Sequence, residues 1–230
     1  MKPYLICHMV TTIDGRIMSG RWGKLPGVTS GASLFETTAA SFGIGAWIVG
    51  TTTLKEFCAK PFKLPRAGRK MPRTDHIVNA AAKSLAIGVD RRGQTFWKSN
   101  DVEGDHVVLL LSQQVSDAYL AHLQAAGVSY LFCGRRDVDL KVALDKLARA
   151  FKLKKAMVQG GGTINGAFLK EGLIDEISHL TVPVADGGVG VQSFFDIPGD
   201  APPRAAAKLK VINHEMLPGG VSWMRYKVLG

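Results

Sequence analysis

Three consecutive glycines, Gly160-Gly161-Gly162, lie between the apolar run Ala156-Met157-Val158 and the segment Thr163-Ile164-Asn165-Gly166-Ala167-Phe168-Leu169-Lys170. Glycine is costly inside helices and strands, so the stretch reads as a strand end, a tight turn and a helix start, with the helix ending near Gly172. With no side chains at the turn, backbone N–H groups converge on one point. The first turn of the helix adds its unpaired donors and the positive end of its dipole. A phosphate or pyrophosphate satisfies such donors. The spacing fits neither Gly-x-Gly-x-x-Gly with an acidic residue about 20 positions on nor a Walker loop, which requires Gly-Lys-Ser/Thr. A plain strand-to-helix turn uses glycine in the same way, so the turn by itself leaves both readings open. Its place favours a ligand, because open α/β sheets bind ligands beyond the carboxyl ends of their strands.

A chain of 230 residues, 46% hydrophobic and 21% charged, can bury one large α/β core, and a single domain over residues 1–230 is the expectation. The chain shows no basic start followed by an apolar segment and cleavage site, and no apolar run approaches the ~18 residues of a membrane span. A cytoplasmic protein with no membrane partner is expected. Cys7, Cys58 and Cys133 are far apart in mostly apolar settings, which suits reduced packing residues; no zinc spacing is present and no metal site is expected.

The formal charge of +10 favours acidic partners. From Lys55 to Arg73 there are seven Lys or Arg against the single Glu56, interleaved with Pro61, Pro65 and Pro72. This is either a solvated surface loop or a mobile basic flap over a phosphate-bearing ligand.

Along the chain, Tyr4 to Val10 suits a strand buried on both faces, followed by the turn Thr11-Thr12-Ile13-Asp14-Gly15-Arg16. A helix from about Ser33 to Phe42 stops at Gly43, and the strand Ala46-Trp47-Ile48-Val49 runs into the small-residue turn Gly50-Thr51-Thr52-Thr53-Leu54. Strands follow at Leu85–Val89 and His106–Leu111. Ser116 is a candidate N-cap for a helix through Ala126 that stops at Gly127, before a strand over Val128–Phe132. Leu140, Leu144, Leu147 and Phe151 share one helix face. Ile177–Val182 gives a further strand, and Lys208–Met216 with Val221–Leu229 form an antiparallel hairpin around Pro218-Gly219-Gly220. The alternation predicts an α/β fold: a mostly parallel sheet flanked by helices, with an antiparallel C-terminal hairpin.

Several of these stretches, in this order, resemble the pyrimidine reductase family of riboflavin biosynthesis. They are Thr12-Ile13-Asp14-Gly15-Arg16; Ala46-Trp47-Ile48-Val49-Gly50-Thr51-Thr52-Thr53; Val89-Asp90-Arg91-Arg92-Gly93; and Gln159 to Leu169 with Gly172-Leu173-Ile174-Asp175-Glu176. That family is the C-terminal half of the bifunctional deaminase-reductases and has the dihydrofolate reductase-like fold. The resemblance implies a reductase that takes hydride from NADPH. Its substrate would be a small phosphorylated heterocycle, a phosphoribosylaminopyrimidine whose ribosyl group becomes a ribityl chain. It also implies a homodimer.

By the same resemblance, Gly160, Gly161, Gly162, Thr163, Ile164 and Asn165 hold the cofactor pyrophosphate and Thr53 makes a second cofactor contact. Arg91 meets the adenosine 2′-phosphate, a dianion that a guanidinium binds as a fork. Asp14, in a turn beyond a strand, is the candidate for orienting substrate or relaying a proton. Gln159 is the candidate substrate contact.

The chain departs from the family pattern in three places. Gln159 stands where the family often has Glu. Lys55-Glu56-Phe57 replaces an acidic pair and Pro. The His-x-Glu and Pro-Cys-x-x-Cys signature of the zinc deaminase half is missing. Reduction of dihydrofolate or another pterin-like compound is the alternative within enzymes. A basic nucleic-acid-binding protein on this scaffold is the alternative outside them, against which stands the lack of any nucleic-acid motif.

Overall fold

Short apolar runs alternating with amphipathic segments give strands and helices in turn. The computed structural model describes residues 2–24, 31–64, 70–197 and 206–229. In chain order the elements are β1 (Tyr4–Thr11), α1 (Gly31–Ala40), β2 (Ala46–Gly50), α2 (Thr51–Leu54), β3 (Leu85–Val89), β4 (Asp101–Val102), β5 (Asp105–Leu111), α3 (Asp117–Ala125), β6 (Ser129–Phe132), α4 (Leu140–Phe151), β7 (Lys155–Val158), α5 (Gly162–Lys170), β8 (Glu176–Thr181), β9 (Lys208–Leu217) and β10 (Val221–Leu229). Contacts group them into two units, Met1–Pro3 with Gly45–Ala156, and Tyr4–Ile44 with Met157–Gly230.

In the first unit β2, β3, β5 and β6 pair in that order, all parallel, and the short β4 lies antiparallel to β5. Parallel strands are covered on both faces, which is why Val107 to Leu111 is a continuous apolar run and fully buried. Gly88 of β3 is required by packing: a Cβ there would overlap the Leu54 side chain of α2. The expected helix face is buried in α4, where Leu140, Leu144, Leu147 and Phe151 all point inward. Asp139 caps that helix by accepting from the N–H groups of Lys141 and Val142, at 2.9 and 3.0 Å. Ser116 caps α3 through Tyr119 N–H at 3.1 Å, as its sequence suggests.

In the second unit β1 runs parallel to β8 with Cys7 opposite Ile177 and Thr11 opposite Thr181; β10 is antiparallel to β8, and β9 to β10. Trp22, Leu180, Val182 and Val221 form a buried cluster beneath this sheet. Taken together, the strands are mostly parallel with an antiparallel C-terminal hairpin, in line with the sequence.

The stretch from Lys55 to Arg73 is partly outside the described residues, which omit 65–69. Lys55, Lys60, Lys63 and Lys70 are exposed, whereas Arg73 is committed to structure. Its guanidinium donates to Asp117 at 2.6 Å and to the carbonyls of Met71, Gln113 and Val115. One of the seven cations is therefore a clasp between Met71 and the start of α3.

Two histidines of the second unit, the buried His8 and the half-buried His179, are held in their neutral form. His8 Nε2–H donates to the Phe35 carbonyl (3.0 Å), so Nδ1 accepts from Ser178 (2.9 Å), whose oxygen in turn accepts from Trp223 Nε1–H (2.8 Å). Thr11 spends its hydroxyl hydrogen on the Thr12 carbonyl, so its oxygen accepts from His179 Nε2–H at 2.8 Å. Burial pulls both imidazoles down, from 6.5 to about 4. Depressed histidines contribute stability that is complete above the unfolded value near 6.5 and is lost as pH falls towards 4, where the native groups also charge. Denaturant titrations between pH 7.5 and 4 should show stability falling by about 1.4 kcal/mol per pH unit per histidine through this window. His8→Gln, which keeps a donor and an acceptor, should flatten that dependence.

Candidate functional site

Three segments of the second unit meet beyond strand ends: the turn after β1, the glycine turn after β7 and the long connection after β8. Ile13 N–H bonds Val184 O (2.9 Å), Ile17 N–H bonds Gln192 O (3.2 Å), and Phe194 N–H bonds Gly15 O (3.0 Å). The turn after β1 is thus edged along its length by residues 184–194.

Asp14 is the staple of this arrangement. Its carboxylate accepts from Thr12 Oγ1–H at 2.6 Å and from the N–H groups of Asp186 and Gly187 at 3.0 and 2.9 Å, with the Arg16 Nε 3.8 Å away. The Thr12 hydroxyl first, then the two backbone donors, hold its carboxyl well below the usual carboxylate range. A group so held is an acceptor and an anchor at neutral pH, and a poor proton donor. Asp186 is itself gripped by Arg21 through two bonds, 2.6 and 2.9 Å, so the anchor extends to a second ion pair.

The glycine turn divides into two kinds of position. Gly160 is buried with φ of +102°, in the left-handed half of the map that disfavours side chains, and its peptide bond to Gly161 is cis. Gly162 and Gly166 lie four residues apart on α5, beneath the segment Ser193–Ile197. A Cβ on Gly162 would collide with the Ser193 carbonyl and approach Asp196 Oδ2 to 2.6 Å, and one on Gly166 would meet the Asp196 carbonyl at 2.5 Å. Asp196 N–H bonds the Gly162 carbonyl at 3.0 Å, and Asp196 accepts from Ser193 N–H and Oγ–H, closing the segment onto the helix. These two glycines serve packing.

Gly161 differs. Its φ of −67° suits any residue, and a Cβ would meet nothing closer than Gln192 Oε1 at 3.7 Å and Ile17 Cδ1 at 3.9 Å. It is the N-cap of α5, where no side chain caps the helix. The fold leaves space at the positive end of a nine-residue helix and does not itself demand glycine there. An anion bound against that backbone would demand it. The donor set and the open position therefore fit a phosphate group.

The other expected site residues fall as follows. Thr163 is exposed and Ile164 half-buried; the N–H groups of Ile164 and Asn165 bond the Gly161 carbonyl at 3.1 Å. Asn165 is fully buried and donates Nδ2–H to the Phe194 carbonyl at 3.0 Å, while its Oδ1 has no partner. It holds the clamp that covers α5. Gln159 is half-buried, with Nε2–H against the Met157 sulfur at 3.3 Å.

Thr53 and Arg91 belong to the first unit. Thr53 is half-buried in α2, next to Thr51, whose hydroxyl donates to the Val89 carbonyl at 2.7 Å. Arg91 follows β3 in a turn organised by the buried carboxylate of Asp90, which accepts from Gln94 N–H, Thr95 N–H, Thr95 Oγ1–H and Tyr119 O–H between 2.7 and 2.9 Å. The turn closes against Tyr119: a Cβ on Gly93 would lie 2.7 Å from its ring. The Arg91 side chain projects from this fixed turn and pairs with Asp137 at 2.8 Å.

The covering segment 191–197 and the Asp186 anchor have no local signature in the sequence. The signal available was the spacing of Gly162 and Gly166, four residues apart on one helix face, which marks close approach of another backbone. No group of three or more metal-binding side chains occurs among the described residues. Nor is any helix among them long and apolar enough to cross a membrane.

A mostly parallel α/β sheet with an antiparallel C-terminal hairpin places the protein in the dihydrofolate reductase-like class. More narrowly, residues 3–222 match the RibD C-terminal domain, and the chain belongs to that family. It is 26% identical over 201 residues, 85% of each chain, to the 2,5-diamino-6-ribosylamino-4(3H)-pyrimidinone 5′-phosphate reductase of Methanothermobacter thermautotrophicus. A pyrimidine reductase-like protein from Corynebacterium diphtheriae shares the fold with a TM-score of 0.70 at 21% identity, over 99% of this chain and 92% of that one. A riboflavin biosynthesis reductase from Saccharomyces cerevisiae gives 0.62 at 12% identity, over 99% and 90%. RibD of Acinetobacter baumannii gives 0.67 at 19% identity, and the chain spans 58% of that longer protein.

The two kinds of glycine separate in a stability measurement. Gly162→Ala should lower stability by about 1 to 3 kcal/mol through overlap with Ser193, despite alanine's better helix propensity. Gly161→Ala should melt within a degree or two of the parent. Thermal denaturation monitored by circular dichroism reads both.

Proposed function

We propose that this protein is a reductase of the riboflavin pathway that uses NADPH to convert the ribosyl group of a phosphoribosylaminopyrimidine to a ribityl chain. The observation that carries the reading is Gly161: a glycine that the fold does not require, at a helix N-terminus beyond a strand end, in a member of the RibD C-terminal domain family. The curated relative from M. thermautotrophicus supports the substrate class by its name.

In this reading, Gly160 to Thr163 take the cofactor pyrophosphate with backbone donors, Ile164 closes the turn through its N–H to the Gly161 carbonyl, Asn165 steadies the segment that covers them, and Thr53 makes a further contact. Arg91 takes the 2′-phosphate. When bound, the reduced nicotinamide would supply hydride to the ribosyl carbon attached to nitrogen; the bond from that carbon to the ring oxygen breaks, and the proton taken up ends on that oxygen as a hydroxyl of the open ribityl chain. Asp14 keeps the 184–188 connection in place and presents a fixed negative charge; it does not supply the proton. Gln159 offers substrate both a donor and an acceptor, where a carboxylate offers acceptors alone.

We also propose a homodimer. Strand β9 lies at the end of its sheet, with Lys208 to Met216 exposed. Leu209, Val211, Ile212 and Met216 are apolar and at least 42% exposed, a cost that a second copy would remove. Sedimentation should find a dimer, and Ile212→Lys with Met216→Lys should yield folded monomer.

Isothermal titration tests the cofactor assignment. Gly161→Val should remain folded and lose NADPH binding, since its side chain fills the phosphate position. Arg91→Ala should weaken NADPH about tenfold or more while leaving NADH nearly unchanged, because a charge-assisted hydrogen bond is worth about 1.5 to 3 kcal/mol. Equal losses for both cofactors would remove Arg91 from this role.

The substrate is tested by NADPH consumption with the diamino-pyrimidinone phosphate, with its deaminated uracil counterpart and with dihydrofolate. Turnover of either ribosyl compound is expected. Inactivity towards both, in the parent and in Gln159→Glu, would sink the pathway reading while leaving the cofactor assignment intact.

A further inference from the structure

We infer that Asp137 tempers the preference for NADPH over NADH: it holds the Arg91 guanidinium in the free protein, and the cofactor 2′-phosphate must displace it. The inference rests on the reading of Arg91 as the 2′-phosphate ligand. Its geometry comes from two turns. The turn 90–93 follows β3, and the turn 134–137 follows β6; both strands are parallel neighbours of β5.

The two backbones are tied together at the end of β5. Ser112 Oγ–H donates to the Arg91 carbonyl at 2.8 Å, and Gln113 N–H donates to the Gly134 carbonyl at 2.9 Å. Asp90 fixes the first turn through its buried bonds to Gln94, Thr95 and Tyr119. In the second, a Cβ on Gly134 would overlap the Asp137 carbonyl, so that loop is tightly folded on itself. Only the side chains are left to move, and they meet as Arg91 Nη1 to Asp137 Oδ2 at 2.8 Å.

The charges in these turns are lopsided. They carry Arg91, Arg92, Arg135 and Arg136, the last three exposed, against Asp137 as the one exposed carboxylate. The Arg91 and Asp137 side chains are 40% and 68% exposed, so water screens the pair. Such pairs shift an equilibrium by at most about fivefold. A phosphate dianion brings more charge and a fork-shaped set of acceptors, and it wins the exchange. Asp137 therefore lowers NADPH affinity by the strength of the pair it gives up, and leaves NADH untouched.

The test is isothermal titration of NADPH and NADH into the parent, Asp137→Asn, Arg91→Ala and the double variant, with melting curves to confirm folding. Asparagine keeps the acceptor that Asp137 Oδ1 offers Val138 N–H at 2.8 Å, so the loop is preserved. Asp137→Asn should bind NADPH about two- to fivefold more tightly with NADH unchanged, and the gain should vanish in the Arg91→Ala background. If Arg91→Ala weakens NADPH but Asp137→Asn does not tighten it, the Asp137 inference alone is overturned. A gain that persists without Arg91 would mean a long-range field in place of an exchange, which also overturns it. NADPH affinity indifferent to Arg91→Ala would remove the Arg91 reading and the inference together.

Discussion

Parallel pairing of β1 with β8 is the constraint from which the candidate site in the second unit follows. Parallel neighbours need long crossover connections, and their carboxyl ends point the same way. With Thr11 opposite Thr181, the turn after β1 and the connection after β8 must emerge side by side. The backbone bonds from Ile13 to Val184 and from Gly15 to Phe194 then become available, and Asp14 has two N–H groups within reach. The other end of the same strands is closed by charge. Glu176, nearly buried, accepts from Arg225 at 2.7 Å and from Tyr4 at 3.1 Å, while Asp175 accepts from Leu5 N–H at 2.8 Å. A slip of one residue would turn every side chain of β1 to the opposite face and break both sets.

The elements were legible because each is written in a local pattern. Leu140, Leu144, Leu147 and Phe151 can share a face only on a helix, and the apolar runs of β3 and β5 suit strands covered on both sides. The two-residue β4 was not legible, since it exists through pairing with Asp105 and His106 and has no periodicity of its own. Three consecutive glycines mark the turn plainly, but local sequence does not distinguish their roles. Gly160 answers a backbone angle, Gly162 and Gly166 answer the approach of Ser193–Ile197, and Gly161 answers neither. That partition depends on a segment about 30 residues away in sequence, which no local pattern places.

Charge was the least legible feature. A count of +10 and a cluster between Lys55 and Arg73 suggest free cations, yet several arginines are bound within the fold. Arg73 clasps Asp117, Arg21 grips Asp186, Arg225 holds Glu176 and Arg91 holds Asp137. The first three position backbone or buried carboxylates. Of these four, the Arg91 pair alone is more than a third exposed on both sides, and there exchange for an external anion costs little. Counting charge overstates what is free to bind a ligand; burial of the partner decides.

The protonation states in the second unit bear on how a reductase of this kind would gain its rate. Asp14 is held as carboxylate by Thr12 and two backbone donors, and His8 and His179 are held neutral by burial. Asp14 and His8 each accept a hydrogen bond that protonation would break, whereas the Nε2–H that His179 donates to Thr11 would survive it. None is poised near neutral pH, where a general acid or base works best. What these groups do supply is rigidity: Asp14 anchors 184–188, Asn165 and Asp196 fix 193–197 over α5, and the neutral His8 ties β1 to β8 through Ser178. Hydride transfer depends on holding two carbon atoms in contact at the right angle, and orientation of that kind is what such a frame provides. A rate built on positioning tolerates loss of any one titrating group better than loss of the packing that holds Gly162 beneath Ser193.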